Sequence, residues 1–157
     1  MKRLYVRSSK RGRLGILLGA AVCGPVCAFV ALHFALAAGL PTPQVSISAN
    51  PWLLIQFLLV APVLEELVFR GLLQDVLTAS RSGRPRFGAA GVGPFSLANV
   101  ITSAVFAACH LPHHPPLLAC AVFLPSLVFG RVKEMYDSLL PPIALHSWYN
   151  LAFVMIF

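Results

Sequence analysis

The sequence predicts an all-α fold: a polytopic membrane helical bundle of about five transmembrane helices, in one domain covering residues 1–157. Three observations point there. Hydrophobic residues make up 58% of the chain and charged residues only 11%, whereas a soluble domain carries about a quarter charged residues. The apolar residues gather into five segments, 14–40, 51–79, 95–111, 117–132 and 142–157, lengths that suit bilayer crossing at ~20 residues per helix. The basic residues lie almost entirely between those segments.

Segment 14–40 follows a basic stretch, as a signal peptide would, but is about twice as long as a signal h-region. It reads as a retained first span, interrupted by Pro25, which membrane helices tolerate. Segment 51–79 opens on Pro51, a residue suited to a helix start. It exceeds the length needed to span, so tilt or protrusion is expected. The stretch 80–94 is rich in Gly, Arg and Pro and reads as a loop. Segment 95–111 stops at Pro112, Pro115 and Pro116, which cannot continue a helix. Segment 117–132 closes on the charged run 131–137, and segment 142–157 carries the last span.

The formal net charge of +7 is distributed as a membrane protein distributes it, not as a nucleic-acid surface does, so no nucleic-acid partner is expected. Lys2, Arg3, Arg7, Lys10, Arg11 and Arg13 precede the first span, and Arg81, Arg84 and Arg86 share one loop. With the basic stretch 1–13 in the cytoplasm, five spans put 80–94 and 131–140 on the same side. Those regions hold eleven of the twelve Lys and Arg residues, and the opposite loops hold none. The positive-inside rule and anionic headgroups account for that asymmetry. Cys23, Cys27, Cys109 and Cys120 lie in apolar runs without a close zinc-type pair, and read as small apolar filling.

The chemistry lies in three of the spans. The second carries Glu65, Glu66 and Arg70, each costing about 2.5–3.5 kcal/mol at mid-helix on insertion scales. Glu66 and Arg70 are spaced i, i+4 and can pair along one face; Glu65 points about 100° away and lacks that partner. A packing network between helices would explain the pair but not the spare carboxylate, which is a competent general base once withdrawn from water. The third span ends at His110, and the fifth holds His146 and Asn150 at i, i+4. Lipid satisfies none of these groups, so convergence on one internal site is the least costly arrangement. His33 has no motif around it and is expected to pack or bond locally, while His113 and His114 read as surface residues of the proline-rich turn.

The ordered set Glu65-Glu66-x-x-x-Arg70, Phe106-x-x-x-His110 and His146-x-x-x-Asn150, with Pro62 and Phe69-Arg70-Gly71-Leu72 around the first motif, resembles the CPBP family. These are the CAAX-processing and bacteriocin-processing intramembrane endopeptidases, and the resemblance covers a catalytic core at about 51–157. It implies that Glu65 and His110 activate a water for attack on a peptide carbonyl. It further implies that His146 and Asn150 donate to the developing oxyanion, and that Glu66 and Arg70 form a supporting pair. A zinc-dependent alternative would use Glu65, His110 and His146 as ligands; the metal-free mechanism, without a cofactor, is favoured.

The small size is similar to the myxosortase-like members, which trim C-terminal sorting tails of exported bacterial proteins; prenylated-protein processing fits less well. The expected partners are a membrane-associated protein with a hydrophobic C-terminal tail and the lipid bilayer of a bacterial inner membrane. A second copy of the chain is a further candidate, completing the groove. A non-catalytic role, as a bacteriocin-immunity protein or a membrane scaffold, is the competing class, and a proton-coupled transporter a third. One geometric question stands. Glu65 lies roughly 21 Å along its helix at 1.5 Å per residue, whereas His110 ends its own span.

Overall fold

Helix α1 (Lys10–Ala37) starts ahead of the apolar segment because Ser9 caps it, its Oγ accepting from the Gly12 N–H at 3.1 Å. Part of the basic stretch is therefore helical. The computed structural model describes residues 9–39, 50–79 and 91–156; most of the basic N-terminus and of the predicted loop 80–94 lies outside them. The chain then forms α2 (Pro51–Thr78), capped by the Asn50 side chain, which accepts from the Trp52 N–H at 2.9 Å. Strands β1 (Gly91–Val92) and β2 (Phe95–Ser96) make a minimal antiparallel hairpin, with Gly93 at φ 60 in its turn. Helices α3 (Leu97–His110), α4 (Pro116–Tyr136) and α5 (Leu140–Ile156) complete the bundle.

The interior is polar and the exterior apolar. Glu66, Arg70, Gln74, Asn99, Thr102, Ser103 and Ser126 are buried, while Leu18, Val22, Phe34, Leu64, Leu72 and Met155 stand exposed. Water would penalise that inversion, and hydrocarbon favours it. Three helical stretches, Lys10–Phe34, α2 and α4, are long and apolar enough to cross a membrane. The protein is an integral membrane helical bundle.

Proline sets the local shape of three helices. In α4, Pro125 leaves the Ala121 carbonyl without its i+4 donor, and the helix breaks there into Pro116–Ala121 and Phe123–Tyr136. In α1, Pro25 strands the Ala21 carbonyl in the same way, and Trp148 Nε1 of α5 donates to it at 2.8 Å. In α2 the ladder widens to π-helical over Gln56–Val60, so that the Ala61 N–H reaches back five residues to Gln56. Pro62 has no N–H to offer next. The stranded Phe57 carbonyl accepts from Asn150 Nδ2 at 2.8 Å. Two neighbours in one turn of α5 thus fill gaps left by prolines on two other helices. Between them, the Tyr149 hydroxyl donates to the Ala20 carbonyl at 2.7 Å. Its ring sits where a Cβ on Gly24 would be, 2.1 Å away.

Helix α4 runs past the charged residues predicted to close it. Lys133 pairs with Asp75 of α2, and Glu134 accepts from Gln74 Nε2 at 3.0 Å and from the Ser96 hydroxyl. Those partners on other elements satisfy the charges inside a helix. The end comes at Asp137, held in the left-handed conformation with its N–H bonded to the Lys133 carbonyl. Arg13 of α1 docks beside that end, donating to the Met135 carbonyl at 3.3 Å with its guanidinium over the Tyr136 ring. The apolar core that accompanies the polar seam is Phe129, Val132 and Leu145, backed by Leu17 and Tyr149.

Candidate active site

Helix α2 sets the frame. Glu66, Arg70 and Gln74 follow one another at i, i+4, i+8, all at most 1% exposed. From Leu67 to Gln74 the helix is again π-helical, a widening often found at functional sites. Arg70 Nε lies 3.3 Å from Glu66 Oε2, with both side chains fully buried. The far end of the guanidinium donates to the Ser126 carbonyl at 2.8 Å and to the Ser126 hydroxyl at 2.7 Å. The rings of Phe106 and Phe129 flank it at 5.0 and 5.9 Å. The cation is therefore paired, hydrogen-bonded and flanked by aromatic rings, as a buried charge requires.

His146 enters from α5 between the two glutamates. Its Nδ1 is 3.0 Å from Glu66 Oε1 and its Nε2 is 3.6 Å from Glu65 Oε2. The ring stacks on Phe129, centroids 4.8 Å apart at 22°, and meets the edge of Phe106 at 6.0 Å. Glu65, Glu66 and His146 thus form one carboxylate–imidazole–carboxylate array. Glu66 is sealed in the interior, whereas the Glu65 side chain retains 32% exposure.

That exposure opens onto a cleft of about 340 Å³, lined by Glu65, Phe69, Cys109, His110, His113 and His114. His110 therefore lines the same cleft as Glu65. Helix α3 has 14 residues, about 21 Å at 1.5 Å each, so it accompanies only half of α2, which has 28. It runs from the Gln74 end of α2 up to Glu65, with Phe106 edge-on to Phe69 at 5.0 Å on the way. The predicted third span is too short to cross a bilayer by itself, and the proline turn after it comes halfway along α2. Within α3, Nδ1 of His110 donates to the Phe106 carbonyl at 2.8 Å, which leaves Nε2 as the lone-pair nitrogen of the neutral ring. His114 stacks against His110 at 5.8 Å and 21°.

The sequence-predicted residues fall into two groups. Glu65, His146, Glu66 and Arg70 are linked in that order by successive contacts, and His110 shares the lining of the cleft with Glu65. Asn150 stands apart, with one amide hydrogen on the Phe57 carbonyl, and is not part of the cleft lining. His113 and His114 are exposed in the turn, as expected, and also line the cleft, while His33 bonds locally to the Phe29 carbonyl at 3.0 Å. Among the described residues, no group of three His, Cys, Asp or Glu side chains has an arrangement that would hold a metal ion. Cys23, Cys27, Cys109 and Cys120 are free thiols. Ser126 and Phe129 of α4 complete the surroundings without any motif to announce them; a serine in an apolar helix, three residues from an aromatic, is a faint signal. A family model described as type II CAAX prenyl endopeptidase Rce1-like matches residues 47–152. No curated protein and no solved structure matches the chain.

Proposed function

Since the chain belongs to the Rce1-like type II CAAX prenyl endopeptidase family, we propose that it hydrolyses a peptide bond of a membrane-associated protein by a metal-free, glutamate-based mechanism. The observation that carries this reading is the unequal pair of carboxylates around His146. Glu66 is neutralised by Arg70 inside the protein, and Glu65 faces the cleft opposite His110. A water held between Glu65 and His110 Nε2 would lose its proton to the carboxylate as its oxygen attacks the scissile carbonyl. The developing oxyanion would be met by His146 and by the second amide hydrogen of Asn150, the first being occupied by the Phe57 carbonyl. Donation from His146 Nε2 requires a proton on that nitrogen, which points toward Glu65. The leaving amine would recover the proton from Glu65.

The substrate we favour has a hydrophobic tail near its C-terminus, delivered along the exposed apolar face of α2 that Leu64, Val68 and Leu72 present beside Glu65. The proposed setting is a bacterial inner membrane, with the end that carries Arg13, Arg131 and Lys133 in the cytoplasm. The test is reconstitution in liposomes with two internally quenched peptides, one with an apolar tail and basic end, the other with a farnesylated C-terminal CaaX box. Wild type is expected to cleave the tail peptide, and Glu65→Gln or His110→Ala to lose roughly 10²–10⁴ of that rate. Cleavage of the farnesylated peptide alone would move the substrate assignment. Cleavage unchanged in Glu65→Gln would remove the mechanism.

A further inference from the structure

Helices α2, α3 and α5 supply the proposed reacting groups, but a fourth helix holds them in register. On α4, Ser126 and Phe129 lie one turn apart and touch the two ends of one array. Ser126 holds the guanidinium of Arg70, and Phe129 stacks on His146. The other restraints on the guanidinium are less directional. Its Nε approaches Glu66 at 3.3 Å outside good hydrogen-bond geometry, and its NH1 has no hydrogen-bond partner among the described residues. The rings of Phe106 and Phe129 constrain its plane but not its position within that plane. Among the described residues only Ser126 hydrogen-bonds it, and Ser126 is fully buried, so no bulk water stands ready to replace the hydroxyl.

We infer that Ser126 is a positioning residue for hydrolysis. By fixing Arg70, it sets the Glu66 carboxylate that holds His146 Nδ1, and so the direction in which His146 Nε2 meets Glu65. The inference rests on the proposed role of Glu65, and it adds a residue that lies outside the cleft and touches no substrate. The backbone carbonyl of Ser126 survives any substitution, so removing the hydroxyl loosens Arg70 without stranding it. A loss of one charge-assisted hydrogen bond corresponds to about a tenfold effect.

The test uses the full-length protein in liposomes and the apolar-tail peptide. For Ser126→Ala, kcat per folded molecule is expected to fall about tenfold with KM unchanged, and Ser126→Thr, which keeps the hydroxyl, to recover most of it. Ser126→Cys, which keeps the volume but accepts hydrogen bonds weakly, is expected to behave like Ser126→Ala and serves if that variant accumulates poorly. Wild-type kcat in both Ser126→Ala and Ser126→Cys, with Glu65→Gln inactive beside them, would overturn the positioning role and leave the hydrolytic site standing. Full activity in Glu65→Gln would overturn both. Failure of Ser126→Thr to recover more activity than Ser126→Ala also counts against the hydroxyl.

Discussion

Glu65 and Glu66 are adjacent in sequence yet live in different dielectric surroundings, because one helical step turns a side chain by about 100°. Glu66 turns inward to Arg70 and His146; Glu65 keeps a third of its surface open to the cleft. That difference suits one carboxylate to structure and the other to proton transfer. It also predicts how substitutions differ. Arg70→Ala strands Glu66 in the interior, a change that costs about 3–5 kcal/mol for a broken buried pair. The variant should therefore be scarce in membranes as well as inactive, by quantitative immunoblot against a membrane-protein standard. Glu65→Gln should be as abundant as wild type and inactive. Equal abundance of Arg70→Ala and wild type would mean that the pair does not carry the stability assigned to it.

At the scale of elements, α5 does more than present His146. Trp148, Tyr149 and Asn150 bond carbonyls of α1 and α2, and two of those carbonyls are stranded by Pro25 and Pro62. Asn150→Leu should cost about 1–3 kcal/mol for the part-buried carbonyl left unpaired in a membrane helix, read as a drop in thermal unfolding temperature in detergent. In a Pro62→Ala background the main chain regains a donor, so the same substitution should cost less. Strict additivity of the two changes would contradict the account of why Asn150 sits there. Close packing of α3 on α4 yields a sharper expectation. A Cβ at Gly130 would stand 2.0 Å from Asn99 Oδ1, so Gly130→Ala should displace Asn99 from the Leu127 carbonyl it holds at 2.9 Å. The variant should unfold at a markedly lower temperature; an unchanged transition would refute the close approach.

Over the whole molecule, the five helices and the convergence of three polar motifs follow from apolar run lengths and from the cost of leaving Glu, Arg and His in hydrocarbon. Both are properties of composition and spacing, and so readable along the chain. Other features depend on partners far away in sequence. The charged residues Lys133 and Glu134 continue α4 because Asp75, Gln74 and Ser96 meet them. The truncated α3 comes level with Glu65 because its start is tied to the Glu134 end through Ser96. Ser126 bears no spacing relation to Arg70, and its role appears only when α4 lies against α2. The hydrogen bond from Asn150 to Phe57 is hidden for the same reason, since a proline's stranded carbonyl carries no mark of the residue that fills it.

The central claim is that Glu65 transfers the proton of an attacking water in the cleft it shares with His110. Its most direct test is mass spectrometry of the apolar-tail peptide after incubation with the reconstituted protein in ¹⁸O-labelled water. Wild type should yield two fragments, with one label in the new carboxylate, in the presence or absence of a chelator. Glu65→Gln, equally abundant in the same liposomes, should yield neither. Labelled fragments from Glu65→Gln at the wild-type rate, or loss of wild-type cleavage on chelation with recovery on adding zinc, would contradict it.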